Sequence, residues 1–338
     1  MNNRVMKKIF YLFVLSPWLM PGFSQIRPKN IGLKLLNTIV LPDVKGGFDL
    51  MAADIKGKRL FVAAQDNHTL EVIDLNAMKS LKSVPDFLEP KWIVYRPESD
   101  RIYVATELDG KVTVLDSRTC QKIKTLTFKE KCNNLRFDAD KNLLYVGVGK
   151  SFGSIGIIDA NKDEIVGEIS LSNFPKQFDL AGNKMYINVP ETNTIEVADL
   201  ISRKIISKWV IKDGKENVPM GIDRIHHLLF VGCISGKLLV YDLKTEKQIF
   251  SMDISKDADG IYYDSKRSQI YVSCGEGYLD VIRQITPESY KRLTKIPTVS
   301  GAGTSLFIPE LDIYILAVPQ NEKNNAEIRV YLPINVIK

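Results

Sequence analysis

Carboxylates are the first side chains to consider for chemistry, because they bind cations and transfer protons. In the segment KDADG, Asp257 and Asp259 are two residues apart, and Glu276 lies in the Gly-flanked segment CGEGY. A calcium site needs about six oxygen ligands, and no Asp-rich loop supplies the remaining ones. The pattern therefore favours a polar turn over a metal site and predicts no cofactor. If a metal binds anywhere, we expect it at Asp257, Asp259 and Glu276.

The histidines argue against a zinc or general-base centre. His68 lies in a polar hairpin, whereas His226 and His227 share a turn that the strand pattern places on the opposite face. A zinc site needs three or four convergent ligands, and a general base needs an orienting partner. The sequence also lacks Cys-x-x-Cys pairs. Catalysis by His68 is therefore the weaker interpretation.

Aromatic and charged residues in the predicted loops favour binding instead. Exposed aromatic side chains contribute much of the binding energy at protein interfaces, and charged neighbours add selectivity. The predicted ligand-binding residues are His68, Lys91, Trp92, Asp109, Lys150, Phe152, Asp257, Asp259, Glu276 and Tyr278.

A repeated hairpin positions these residues. Each copy has a strand ending in aromatic, aliphatic and small residues, a polar gap, and a strand ending in an aliphatic residue and usually Asp, as in RLFVAA to EVIDL. The marker aromatics are Phe61, Tyr103, Tyr145, Tyr186, Phe230, Tyr271 and Tyr314. A period of 41 to 44 residues with several short strands per repeat is typical of propeller blades. Apolar segments before and after each hairpin complete four antiparallel strands, a to d.

The repeat predicts an all-β, seven-bladed β-propeller over residues 25–338. The seventh copy ends after EIRVYL without a fourth strand, and KLLNTIVLP (34–42) precedes the first copy without a hairpin. We expect this N-terminal strand to complete the last blade and close the ring, which removes an unpaired edge. The d–a and b–c connections then share the face around the central channel, where we expect the site.

Two smaller patterns are interpreted as structural. An Asp closes strand c in five copies, where its carboxylate is expected to accept backbone N–H groups in a turn. These residues are Asp74, Asp116, Asp159, Asp199 and Asp242. The four cysteines are expected to be free thiols, since Cys120 and Cys132 flank opposite ends of one strand and exceed the Cα separation of about 5.5 Å that a disulfide needs. Cys233 and Cys274 each lie three residues after a marker aromatic, at equivalent positions that are expected to be buried.

The N-terminus has the three parts of a secretory signal peptide. A basic start, MNNRVMKK, precedes an apolar run of 12 residues and the exit PGFSQ, which predicts a signal over 1–24 and a periplasmic or secreted protein. Twelve apolar residues are fewer than the roughly 20 that span a membrane. Without Arg4, Lys7 and Lys8, 43 of the 46 basic residues face 40 acidic ones, a net charge of +3. This balance disfavours strong nucleic-acid binding.

The repeat units are similar to YVTN-type β-propeller repeats, and residues 31–335 resemble the YncE-like group of exported bacterial propellers. The resemblance rests on LLYVG, on RIYVA followed by VTVLD, and on the entries EPKWIVY and NFPKQFDL into strand a. The Asn that usually follows the small residue is absent; the positions hold Ala64, Thr106, Val148, Val189, Cys233, Cys274 and Ala317. The resemblance implies a propeller with binding roles at the cell envelope. A fold by itself does not determine function.

Two functions are compatible with these observations. The first is an exported, monomeric, non-catalytic scaffold that binds an unknown envelope protein or a small polar ligand on the loop face. The second is a metal-dependent, lactonase-like hydrolase at the channel mouth, using Asp257, Asp259, Glu276 and His68. The missing set of convergent ligands favours the scaffold.

Overall fold

The computed structural model describes residues 32–150 and 152–335, which form 28 β-strands and two 3₁₀-helices, Pro190–Thr192 and Pro309–Leu311. The predicted signal peptide lies outside the described residues. No helix in these two ranges is long and apolar enough to cross a membrane.

The strands form seven four-stranded antiparallel sheets, the blades, arranged around a common axis. Strand β1 (Leu33–Leu41) precedes the first blade. Blade 1 contains β2 (Met51–Asp54), β3 (Arg59–Ala64), β4 (Thr69–Asp74) and β5 (Lys79–Val84). Blade 2 contains β6 (Pro90–Arg96), β7 (Arg101–Thr106), β8 (Lys111–Asp116) and β9 (Lys122–Thr127). Blade 3 contains β10 (Cys132–Asp138), β11 (Leu143–Gly149), β12 (Gly153–Asp159) and β13 (Glu164–Leu171).

The remaining blades follow the same order. Blade 4 contains β14 (Phe178–Ala181), β15 (Lys184–Val189), β16 (Thr194–Asp199) and β17 (Lys204–Val210). Blade 5 contains β18 (Asn217–Asp223), β19 (Leu228–Cys233), β20 (Lys237–Asp242) and β21 (Lys247–Asp253). Blade 6 contains β22 (Ala258–Asp264), β23 (Gln269–Cys274), β24 (Tyr278–Thr286) and β25 (Ser289–Pro297). Blade 7 contains β26 (Ser305–Ile308), β27 (Ile313–Val318), β28 (Ala326–Pro333) and β1. The predicted all-β, seven-bladed architecture is confirmed.

The inner strands of each blade are buried on both faces because neighbouring blades cover them. Five of the six residues of β3 and all six of β23 are buried, whereas the outer strand β5 is exposed along most of its length. All seven marker aromatics are at most 2% exposed. Several pack on one another between blades; for example, the ring centroids of Tyr271 and Tyr314 are 5.4 Å apart. The repeat therefore reflects the packing of one blade on the next.

The ring closes through the N-terminal strand, as predicted. Strand β1 pairs antiparallel with β28, from Leu33 opposite Pro333 to Leu41 opposite Ala326. The two strands come from the two ends of the described chain, so their pairing fixes blade 7 between blades 6 and 1.

The recurrent Asp at the end of strand c has the predicted structural role. Asp116 Oδ1 accepts backbone N–H groups from Arg118 at 3.0 Å and from Thr119 at 2.8 Å. Asp74 accepts from Asn76 and Ala77 in the same way, and these hydrogen bonds hold the pKa of Asp74 below its usual value. Such bonds favour the ionised carboxylate.

The four cysteines are buried free thiols, as expected. Burial raises the pKa of the Cys233 thiol to about 12, which leaves it protonated at neutral pH.

A buried ionic cluster links blades 6 and 7 at the opposite end from the loop face. Arg267, 5% exposed in its side chain, donates to Asp264 Oδ2 at 2.8 Å and to both carboxylate oxygens of Asp312 at 2.7 Å. Arg267 lowers the pKa of Asp312 to about 2. The Tyr271 hydroxyl also donates to Asp264 Oδ2, at 2.8 Å.

Candidate functional site

One residue from the start of strand a in each blade contributes to a ring at the mouth of the central channel. The register of strands a and b places them at equivalent positions about 42 residues apart. We call these residues the channel ring: Asp49, Lys91, Asn133, Lys176, Val218, Asp259 and Thr304. All except Thr304 line a common cavity of about 60 Å³.

Local irregularity in strand a places these side chains there. Blades 2, 3, 5 and 6 have a β-bulge at this point, for example between Pro90 and Trp92 and between Ala258 and Gly260. A bulge interrupts the alternation of side chains and re-aims one of them, which is a common feature beside binding sites. Lys91 and Asp259 therefore face the channel, and Trp92, the residue after Lys91, lines the same cavity.

Blades 6, 7 and 1 form an acidic arc. Burial, followed by the charge of Asp259, raises the pKa of Asp49 to about 7. Burial and the charge of Asp257 likewise raise the pKa of Asp259. The Thr304 hydroxyl lies 3.4 Å from Asp259 Oδ2 and 3.1 Å from the Phe48 carbonyl oxygen, to both of which it can donate. Two carboxyl groups with elevated pKa values thus share a confined space, where a cation would favour ionisation of both.

Blades 2, 3 and 4 form a basic arc. Lys91 Nζ lies 3.0 Å from Glu107 Oε2 and 3.7 Å from Asp49 Oδ2, while Glu107 also pairs with Lys131 at 2.6 Å. Burial alone would lower the pKa of Lys91, but Asp49 and Glu107 raise it. Lys176 Nζ has no carboxylate oxygen of the described residues within 4.0 Å and lies 5.5 Å from the centroid of the Phe174 ring.

Two amide side chains lie beside the ring. Gln177 reaches from blade 4 to blade 6, donating to the Asp259 carbonyl oxygen at 2.9 Å and accepting from the Met220 N–H at 3.3 Å. Asn134 is 3% exposed and lines the same cavity, but its Nδ2 has no hydrogen-bond partner among the described residues. Unsatisfied buried donors are rare in folded proteins. The Asn134 amide is therefore available to a ligand.

The predicted metal-binding residues do not converge. Asp259 faces the channel, but Asp257 is exposed and Glu276 is turned to the Lys256 N–H, which donates to its Oε2 at 2.8 Å. His68 is exposed, and its Nδ1 accepts from the Glu89 N–H at 3.2 Å. Within the described ranges, no three His, Cys, Asp or Glu side chains are grouped to hold a metal ion.

The predicted aromatic contacts have three different environments. Trp92 is 5% exposed and packs beneath the Arg136 guanidinium at 4.4 Å, so the prediction that it is an exposed contact is wrong. It nevertheless lines the channel cavity beside Lys91, because the β-bulge between Pro90 and Trp92 interrupts the alternation of side chains there. Phe152 is 79% exposed, beside a cavity of about 520 Å³ between blades 2 and 3. The ring of Tyr278 is covered by Lys295 Nζ at 3.7 Å.

The two remaining predicted residues lie on the outer part of the loop face. Asp109 pairs with Lys111 at 2.8 Å, and Lys150 is exposed with its backbone N–H donating to Glu130. Both border a separate cavity of about 330 Å³. Of the predicted ligand-binding residues, the structure therefore brings Lys91, Trp92 and Asp259 to the channel cavity.

The main omission from the sequence-based site is Asp49. Counting back one repeat of 42 residues from Lys91 reaches it directly. Lys176 and Asn134 also belong to the cavity and were not among the predicted ligand-binding residues. The repeat period contained the necessary signal, since ring positions recur with the marker aromatics.

No protein-family model matches the chain. No curated protein matches it either. Among solved structures, a chain of "Crystal Structure of Mitotic Checkpoint Complex" superimposes with a TM-score of 0.76 at 12% identity, covering 97% of this chain and 100% of that one. A chain of "Kuenenia stuttgartiensis Hydrazine Synthase" gives 0.71 at 16% identity, over 90% and 98%. A chain of "Structure of U3-55K" gives 0.74 at 10%, over 90% and 98%. At these identities the likeness extends to the fold alone: a seven-bladed β-propeller.

Proposed function

We propose that this chain is an exported, non-catalytic binding propeller that holds a small polar ligand at the mouth of its central channel. The observation that carries the proposal is the channel ring together with Asn134. Around one cavity it groups two carboxyl groups of raised pKa, a lysine with no carboxylate oxygen of the described residues within 4.0 Å, and a buried amide with no hydrogen-bond partner among them. Buried polar groups cost free energy unless they are hydrogen-bonded. A polar ligand would satisfy them.

The space next to the ring suits a small molecule. The 60 Å³ cavity shares Lys176, Val218 and Asp259 with a neighbouring cavity of about 430 Å³ that extends towards Pro190 and Ile234. Ligand sites are usually concave, with a few converging polar groups that fix the orientation of the ligand. This pair of cavities has that character.

A metal-dependent hydrolase receives less support. Hydrolysis by a metal centre needs several convergent ligands, and a general base needs a partner that orients it. Asp257, Glu276 and His68 point to different surroundings. Among the described residues, the channel cavity offers only two carboxyl groups, Asp49 and Asp259, which are fewer than the three or four convergent ligands of a hydrolytic metal centre.

Export, monomeric state and membership of the YncE-like group are parts of the same proposal. The three-part N-terminus supports export to the periplasm or beyond, and the YVTN-type strand pairs support the group. The ligand is then an envelope solute, and an envelope protein partner would contact the outer loops around Phe152.

The test is a thermal-unfolding screen of the purified protein against small polar solutes, with Asp259→Asn and Lys176→Met variants measured in parallel. Solutes that raise the melting temperature of the wild type but not of the variants support the channel site. Equal protection of all three proteins, or no protection of any, overturns the proposal. Elemental analysis with melting before and after EDTA tests the hydrolase alternative. One divalent ion per chain, with a melting temperature lowered by EDTA, would favour it.

A further inference from the structure

We infer that the ligand of the channel mouth is a free α-amino acid with a cationic side chain. The inference rests on the proposed function and specifies its ligand. It follows from the order of charges around the channel ring. The acidic residues Asp259 and Asp49 flank Thr304 in blades 6, 7 and 1, and the basic residues Lys91 and Lys176 flank the amides of blade 3. A closed ring with one acidic and one basic arc is complementary to a zwitterion.

The acidic arc suits an α-ammonium group. A primary ammonium has three donors, and the arc presents the carboxylates of Asp49 and Asp259, both of which line the cavity. Each carboxyl group is disfavoured as an anion by its confined surroundings, and an ammonium between them would relieve their repulsion. Lys91 and Lys176 already lower the pKa of both carboxyl groups, but burial and neighbouring carboxylates outweigh them, so the pKa values of Asp49 and Asp259 remain raised.

The basic arc suits an α-carboxylate. Lys176 is the ring lysine that is not engaged by a carboxylate within 4.0 Å in the described part of the chain, and Asn134 Nδ2 is a buried donor lacking an acceptor there. Both line the same cavity. A carboxylate has two oxygens and accepts several hydrogen bonds, so one group would satisfy both donors.

The side chain of the amino acid has one direction in which to extend. The 430 Å³ cavity adjoins the ring at Val218, which is the apolar position between the two arcs. Its lining combines Pro190, Val218 and Ile234 with the carboxylates of Glu191 and Glu216 at the surface. An aliphatic stem that ends in a positive charge matches this lining, because the stem packs on apolar groups while the charge remains near the carboxylates.

The experiment uses L-lysine and two analogues that each lack one α-group. Cadaverine lacks the carboxylate, and 6-aminohexanoate lacks the α-ammonium. Calorimetric titration of the purified wild type should show L-lysine binding at least about tenfold more tightly than either analogue, since each analogue loses one set of charge-assisted hydrogen bonds. L-Leucine should also bind more weakly, because it leaves Glu191 and Glu216 without a cation.

Each variant should weaken the binding of a different pair of ligands and spare the third. A general loss of folding would weaken all three. Lys176→Met should weaken L-lysine and 6-aminohexanoate about tenfold and leave cadaverine unchanged. Asp259→Asn should weaken L-lysine and cadaverine and leave 6-aminohexanoate unchanged. The matched controls Lys244→Met and Glu288→Gln remove one charge each from exposed c–d turns at the other end of the blades. Both controls should bind like the wild type.

The outcomes separate this inference from the proposed function. If L-lysine binds no better than its analogues, or if L-leucine equals it, the inference is overturned. If other solutes still bind in a manner that depends on Lys176 and Asp259, the proposed channel site nevertheless stands. If the variants change the binding of no solute, both fail.

Discussion

Replacing Asp49 with asparagine should remove the loss of stability that the protein otherwise shows as the pH rises from 4 to 7. Burial and then the charge of Asp259 raise the pKa of Asp49 to about 7 in the fold, against an ordinary value of 3.8. At a pH between 3.8 and about 7, the Asp49 carboxyl group is ionised in the unfolded chain but still protonated in the folded protein. Because the folded state then binds more protons, the free energy of unfolding falls by about 1.4 kcal/mol per pH unit, or roughly 4 kcal/mol in all. The side-chain amide introduced by Asp49→Asn cannot titrate and avoids this loss.

The assay is urea unfolding of the wild type and of Asp49→Asn at pH 4, 5, 6 and 7 at constant ionic strength. Titrations common to both proteins cancel in the difference between their free energies of unfolding. That difference should move in favour of the variant by about 3 kcal/mol from pH 4 to pH 7, because titration has begun at pH 4 and is half complete at pH 7. Asp259→Asn provides a second arm, since removal of its charge should lower the pKa of Asp49 and shift the change to lower pH.

A difference that stays constant within about 0.5 kcal/mol over this range would refute the reasoning. It would mean that Asp49 ionises in the folded protein as readily as in the unfolded chain. The carboxyl groups at the channel mouth would then be well solvated, and they would no longer support a ligand there.

Three further predictions concern the scaffold. Tyr145→Ala, at a marker aromatic that is 1% exposed, should lower the free energy of unfolding in urea by about 3 kcal/mol. The control Phe152→Ala, at an exposed position, should change it by less than about 0.5 kcal/mol. Similar values for the two variants would contradict the blade register. Arg267→Met leaves the buried Asp264 carboxylate without its ion-pair partner and should lower the free energy of unfolding in urea by about 3 kcal/mol. The exposed control Lys266→Met should have little effect. Equal small losses would show that the cluster does not stabilise the fold. A chain that begins at residue 42 lacks β1 and exposes the edge of β28, so it should elute as aggregates in size-exclusion chromatography. A monomeric chain of unchanged stability would show that pairing of β1 with β28 is not needed to close the propeller.

The fold was predictable because the feature that recurs in the sequence is also the feature that packs. Each marker aromatic fills the space between two blades, so its period of about 42 residues directly reports the blade period. The closing strand was predictable for a similar reason. The seventh repeat lacked a fourth strand, and the apolar segment 34–42 before the first repeat belonged to no blade.

The site was less predictable because side-chain direction changes with each residue along a strand. Strict alternation would point the adjacent residues Lys91 and Trp92 to opposite faces, yet both line the channel cavity. The β-bulges that direct Lys91 and Asp259 towards the channel are not marked by a distinctive sequence pattern in strand a. The Arg267–Asp312 pair was likewise not anticipated, because its members belong to different blades and their pairing depends on how the blades pack.

The channel ring is distinguished by its departure from the repeat. Positions that serve the scaffold keep one residue type around the propeller: an aromatic in the middle of strand b, and in five blades an Asp at the end of strand c. The ring positions have the same structural equivalence but hold Asp, Lys, Asn, Lys, Val, Asp and Thr. A purely structural demand would act equally on seven equivalent positions. The variety at the channel mouth therefore requires a different cause, and a small, asymmetric ligand that contacts each blade through a different group supplies one.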